Sequence, residues 1–116
     1  MRIYHFSEEP YPDAWAPELP TLRIVLPSQM CDPLKANAYY HRYLDEWQLA
    51  DELGFDIMVN EHHATATSLS ASANIILAIL ARITKRARLL VLGVPVANRT
   101  DPVRVAEEME IGRAHV

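Results

Sequence analysis

Three short apolar runs, each followed by a helix-spaced pattern, constrain this chain more than any other feature. Residues 3–6, 55–60 and 89–92 are apolar along most of their length instead of at every second position. Runs of that kind, alternating with helices, predict a parallel sheet covered by helices. The first helix is expected from Asp32-Pro33, which supplies a capping carboxylate and a proline at the first helical position. Tyr40, Tyr43, Leu44, Trp47 and Ala50 then recur at the spacing of one helical face, and Gly54 stands where a left-handed residue would stop the helix. A second helix is expected to open near Ser70 or Ser72 and run to Thr84. Ile75, Ile76, Leu77, Ile79, Leu80 and Ile83 make it apolar around most of its circumference, which predicts that it is largely covered. A third opens at Asp101-Pro102 and carries Val103, Val105, Ala106 and Met109. Three strands alone leave exposed sheet edges, so the chain reads as the opening section of a longer α/β domain.

Residues 8–33 interrupt this rhythm. They hold six of the eight prolines, which disfavours both a long helix and a central strand, and predicts a long ordered loop with one short strand at 22–26. The remaining composition mainly excludes. A net charge of -4 over 116 residues argues against a nucleic-acid surface, which needs clustered lysine and arginine. The lone Cys31 has no basic neighbours to activate it; it excludes an internal disulfide framework and reads as structural. The longest apolar run, 73–81, is too short to span a bilayer, and the first nine residues do not form a secretory signal. The expectation is a soluble, cytoplasmic protein with neither nucleic-acid nor membrane partners.

Two clusters could carry chemistry, and both fall at the carboxyl ends of expected strands, where parallel α/β folds build their sites. The first is Asn60-Glu61-His62-His63. A carboxylate beside two imidazoles offers acid–base capacity near neutral pH. A polar strand terminus can equally lead the chain into solvent, and the residues alone weigh the two readings evenly. Adjacent residues of an extended chain point to opposite faces, so His62 and His63 are poorly placed to share a metal ion. The second cluster is Gly93-Val94-Pro95-Val96-Ala97-Asn98-Arg99. There Gly93 permits close approach of a flat ligand and Pro95 permits a cis bond in a tight turn. It also reads as an ordinary turn.

Taken in order, Gly54-Phe55-Asp56, Glu61-His62-His63 and Asp101-Pro102-Val103-Arg104-Val105-Ala106-Glu107-Glu108 resemble the bacterial luciferase-like family of flavin-dependent monooxygenases. The resemblance covers residues 1–110, with 8–33 as an insertion. It implies the first three βα units of a truncated (β/α)8 TIM barrel. Reduced FMN would bind at the carboxyl face of the strands and, with O2, oxygenate a small organic substrate. It further implies that His62 is the catalytic proton-transfer residue, and that Phe6, Glu61, Gly93, Val94, Pro95 and Asn98 lie around the flavin. A flavin reductase or another supply of reduced flavin, and a homodimeric full-length enzyme, follow from the same resemblance. So does an inactive fragment, because phosphate in such barrels is gripped by loops after strands seven and eight.

Two alternatives remain open: hydride transfer with the deazaflavin F420, and a non-catalytic interaction module that pairs through the sheet edge. Residues 111–116, Ile-Gly-Arg-Ala-His-Val, are what one frame of a common sequencing adapter encodes, and are expected to be a non-native read-through tail.

Overall fold

The computed structural model describes residues 1–14, 31–65 and 68–113. Strands β1 (Tyr4–Phe6), β2 (Asp56–Val59) and β3 (Leu89–Val91) form one parallel sheet in the order β1-β2-β3. Helices α1 (Pro33–Glu52), α2 (Ala73–Ile83) and α3 (Pro102–Arg113) alternate with them. The chain is a small α/β domain, as the alternation predicts. The strand expected at 22–26 lies outside the described residues.

Local chemistry sets the limits of α1. Asp32 Oδ1 accepts the N–H groups of Leu34 at 2.8 Å and Lys35 at 3.4 Å, satisfying donors that have no partner within the helix. At the other end Gly54 takes φ +84°, so that its N–H donates to Asp51 O and the N–H of Phe55 donates to Ala50 O. This paired closure needs a left-handed residue, which glycine adopts without a Cβ penalty. The chain is thereby turned straight into β2.

Tyr43 and Trp47 of α1 pack with Ile57 and Val59 of β2 and with Ala73, Ile76 and Leu80 of α2 to make the main core. Register puts His5, Ile57 and Leu89 in one row and Phe6, Met58 and Leu90 in the next. Successive side chains alternate faces, so the helices cover the Ile57–Val59 side. On the other side Phe6 and Leu90 are each 40% exposed.

Asp51 fastens the turn between α2 and β3 onto the end of α1. Its carboxylate accepts the N–H groups of Lys85, Arg86 and Ala87 at 2.9, 2.9 and 2.6 Å. Burial alone would push the Asp51 carboxyl up, but these three donors outweigh it and hold its pKa below the ordinary value. Arg86 adds donations to the backbone carbonyls of Asp51 and Glu52, where a cation also meets the negative end of α1. One strand further along, Asp56 accepts Arg88 N and the Arg2 guanidinium.

Several expectations are corrected. Helix α2 is not largely covered: Ala73, Ile76 and Leu80 are buried in the core and Leu77 and Ile83 pack partly against it, but Ile75 is 64% exposed and Ile79 37%. Cys31 is exposed, so it has no packing role. The bond preceding Pro95 is trans, because the turn it opens is a single 3-10 turn at Val96–Asn98 that needs no cis bond. The strands are shorter than the apolar runs, although Asp56 N still donates to Ile3 O and Leu92 N to Val59 O. Among the described residues no helix is long and apolar enough to cross a membrane.

Candidate functional site

The parallel register brings the carboxyl ends of all three strands to one edge, and the two sequence clusters meet there. Beyond β2 the chain runs through Asn60, Glu61, His62 and His63 and turns at Ala64, whose φ of 52° is unusual for a residue with a Cβ. Beyond β3 it runs through Gly93 and the 3-10 turn to Arg99 and Asp101. Asp101 caps α3 through Val103 N at 2.9 Å, as its place before Pro102 predicts.

Glu61 ties these segments together. Its side chain has no exposed surface, and its oxygens accept from Arg99 Nη2 at 3.2 and 3.1 Å, from His63 Nε2 at 3.1 Å and from Ala73 N at 3.0 Å. The last of these replaces a cap: Ser72 stands in the capping position of α2 but makes no side-chain cap bond. The helix N-terminus and the guanidinium together offset the desolvation of the buried carboxylate.

His62 is oriented differently from His63. Its Nε2 lies 3.0 Å from Asn60 Nδ2 and 3.3 Å from Glu8 Oε1. Asn60 Nδ2 can only donate and a Glu8 carboxylate can only accept, so one ring nitrogen faces both kinds of partner. With Nε2 unprotonated it accepts from Asn60; with Nε2 protonated it donates to Glu8. Either protonation state of this nitrogen therefore finds a partner already in position, the condition for a group that takes and returns a proton. The backbone adds a further hold, His62 N donating to Ser70 O at 3.2 Å.

The other sequence-predicted residues fall at the same edge with different exposures. Phe6, Gly93, Pro95 and Asn98 are exposed and Val94 is half-buried. A Cβ placed on Gly93 would meet nothing within 4 Å, so the backbone there borders open space. Glu61 is turned inward, so any part it has in binding passes through Arg99 and His63. Sequence reasoning missed Glu8 as a member of this cluster, and it placed Arg99 in the second cluster without giving it a role. The one signal available was position, since each follows closely on the end of an expected strand.

Two surface depressions, of about 410 and 550 Å³, lie at the opposite, amino end of the strands. Gln48, Asp51 and Arg86 line one; Arg2, Gly54 and Asp56 line the other. Asp51, Arg86, Arg2 and Asp56 are engaged in the bonds that fix α1 and β2 in place, and the candidate chemistry-bearing residues are at the far end. The chain matches no protein-family model and no curated protein.

Proposed function

We propose that this chain is the first three βα units of a flavin-dependent oxidoreductase barrel of the luciferase-like kind, with His62 as its proton-transfer residue. The observation that carries the reading is the double partnering of His62 Nε2, at the carboxyl edge of a parallel sheet taken in sequential order. Among the described residues the helices pack on the Ile57–Val59 side and none covers the other face, which supports the barrel. Phe6, Met58 and Leu90 form an apolar row across it, and parallel sheets ordinarily have both faces covered.

The residues present fit one wall of a flavin site. Gly93 offers backbone with open space before it, and Phe6 offers an exposed aromatic surface at the same edge. When bound, reduced FMN would supply the electrons that activate O2 for insertion into a small organic substrate; F420 would supply a hydride instead. Residues of this chain would do the remaining work. Phe6 and the Gly93-Val94-Pro95 segment would cover a ring face, Asn98 would border it, and His62 would hold or release a proton at Nε2. Glu61 and Arg99 would keep the two loops in register. The substrate, the source of reduced flavin and a dimeric assembly belong to the same proposal.

The test is a titration of the chain with FMN and, separately, with F420, followed by backbone amide shifts. Weak binding is expected, with shifts concentrated at Phe6, His62, Gly93 and Asn98, because the phosphate grip of such barrels comes from later strands. Shifts centred on Gln48 and Arg86, or none at the carboxyl edge, would overturn the assignment. A second reading, an interaction module, draws on the sheet edge instead, since among the described residues β1 and β3 each pair with β2 alone. It predicts a stable oligomer that FMN does not affect.

A further inference from the structure

Glu9 lies three residues beyond β1, is 1% exposed, and among the described residues has no hydrogen-bond partner on either side-chain oxygen. Its backbone adopts φ 51°, a region that residues with a Cβ rarely occupy. A buried, unpartnered carboxyl on a strained backbone is costly in two ways, and strain of this kind persists only where the surroundings hold it in place.

The surroundings here are specific. The carbonyl of Glu9 accepts Leu69 N at 2.8 Å. Leu69 O accepts the Tyr40 hydroxyl, and Ser70 O accepts the His62 N–H at 3.2 Å. The strap at residues 68–70 is therefore bonded on one side to Glu9 and on the other to His62. The neighbouring Glu8 reaches His62 Nε2 directly. Seating of Glu9 fixes His62 by two routes, through the strap and through Glu8.

We propose that Glu9 is a proton-dependent latch that positions His62: as the neutral acid it stays seated and holds the strap, and on losing its proton it unseats both the strap and Glu8. This goes beyond the flavin reading and holds whatever reaction His62 serves. Among the described residues, the titratable groups facing Glu9 are the phenols of Tyr40 and Tyr43 from α1. The strap contributes only Ser68, Leu69 and Ser70, which carry no charge. Neither phenol ionises near neutrality, since burial raises both. No cation from these elements compensates a Glu9 carboxylate.

Burial pushes the Glu9 carboxyl from 4.5 up to about 7. An unseated Glu9 has the ordinary value, so the seated state holds the extra proton only between these two limits. Unlatching should become tenfold easier per pH unit from 4.5 to about 7, roughly 300-fold in all, and then level off.

Amide hydrogen exchange of the whole chain, corrected for its intrinsic pH dependence, tests this. Protection of the Leu69 and His62 amides should fall over that interval in the wild type and stay flat in Glu9→Gln. The amides of Lys85 and Ala87, held by Asp51, should not change with pH there in either protein, which separates a local latch from general loosening. Wild-type protection that is flat at Leu69 and His62, or a fall retained in Glu9→Gln, would overturn the proposal. If Glu9→Gln does not fold, carboxyl carbon shifts of the wild type decide instead: a Glu9 midpoint near the ordinary value contradicts the latch.

Discussion

Arg99 reaches both oxygens of Glu61 across 38 residues of chain, and the carboxylate it holds is completely buried. This single pair joins the loop after β2 to the turn after β3 and sits on the first N–H of α2. Removing one partner of such a pair leaves the other charged group uncompensated. Glu61→Ala should lower stability by about 2–4 kcal/mol. In a double-mutant cycle with Arg99→Ala, the losses should be clearly less than additive. Chemical denaturation midpoints check this; additive losses would mean that the two residues act independently.

Asp51 gives a prediction with a defined pH sign. Its pKa is held below the ordinary 3.8, so its stabilising contribution is present above that value and is lost as pH falls through the lowered pKa. Asp51→Ala leaves three N–H groups without their acceptor and should cost about 2–4 kcal/mol near neutral pH. The difference from wild type should shrink in strong acid. Thermal unfolding of both proteins across the acid range measures it.

Glu9 carries the opposite sign. A carboxyl raised to about 7 contributes stability that is complete below 4.5 and lost as pH rises toward 7. Glu9→Gln should match the wild type in mild acid and exceed it by about 3 kcal/mol above neutrality, the same roughly 300-fold factor expressed as free energy. A constant difference across pH would show that the Glu9 carboxyl has the same pKa folded and unfolded, and would contradict the raised value.

Gly54 isolates backbone conformation from packing. Nothing lies within 4 Å of a Cβ built there, so Gly54→Ala pays only for its left-handed φ of 84°. That cost is about 1 kcal/mol, and it should appear as a modest shift in the unfolding midpoint with the fold retained.

Much of the fold was legible because local patterns carry it. Asp32 and Asp101 announce their helices as capping residues, Gly54 announces a stop, and the apolar runs announce strands. Each of these signals acts within a few residues, and the structure keeps all of them. The exposure of Ile75 was not legible, because periodicity reports which residues could be covered and cannot report which partner covers them. The candidate site was legible in part. His62 stood out by type and place, but the pairs that orient it, Glu8 with His62 and Arg99 with Glu61, join residues 54 and 38 positions apart. No local rule encodes such distances. Glu9 was hidden for a related reason: its burial comes from the strap and α1 closing over it, and an acid pair near a strand end ordinarily faces water.

The central proposal is that His62 transfers a proton in flavin chemistry. Reoxidation of bound reduced flavin by O2 needs no knowledge of the organic substrate, and stopped-flow absorbance follows it in the flavin-loaded protein. In the wild type the protein should change the rate relative to free FMN. His62→Ala should alter that rate by roughly 10²–10⁴-fold while flavin affinity moves far less. Reoxidation that is identical in wild type and His62→Ala, or identical to free FMN, would contradict the account.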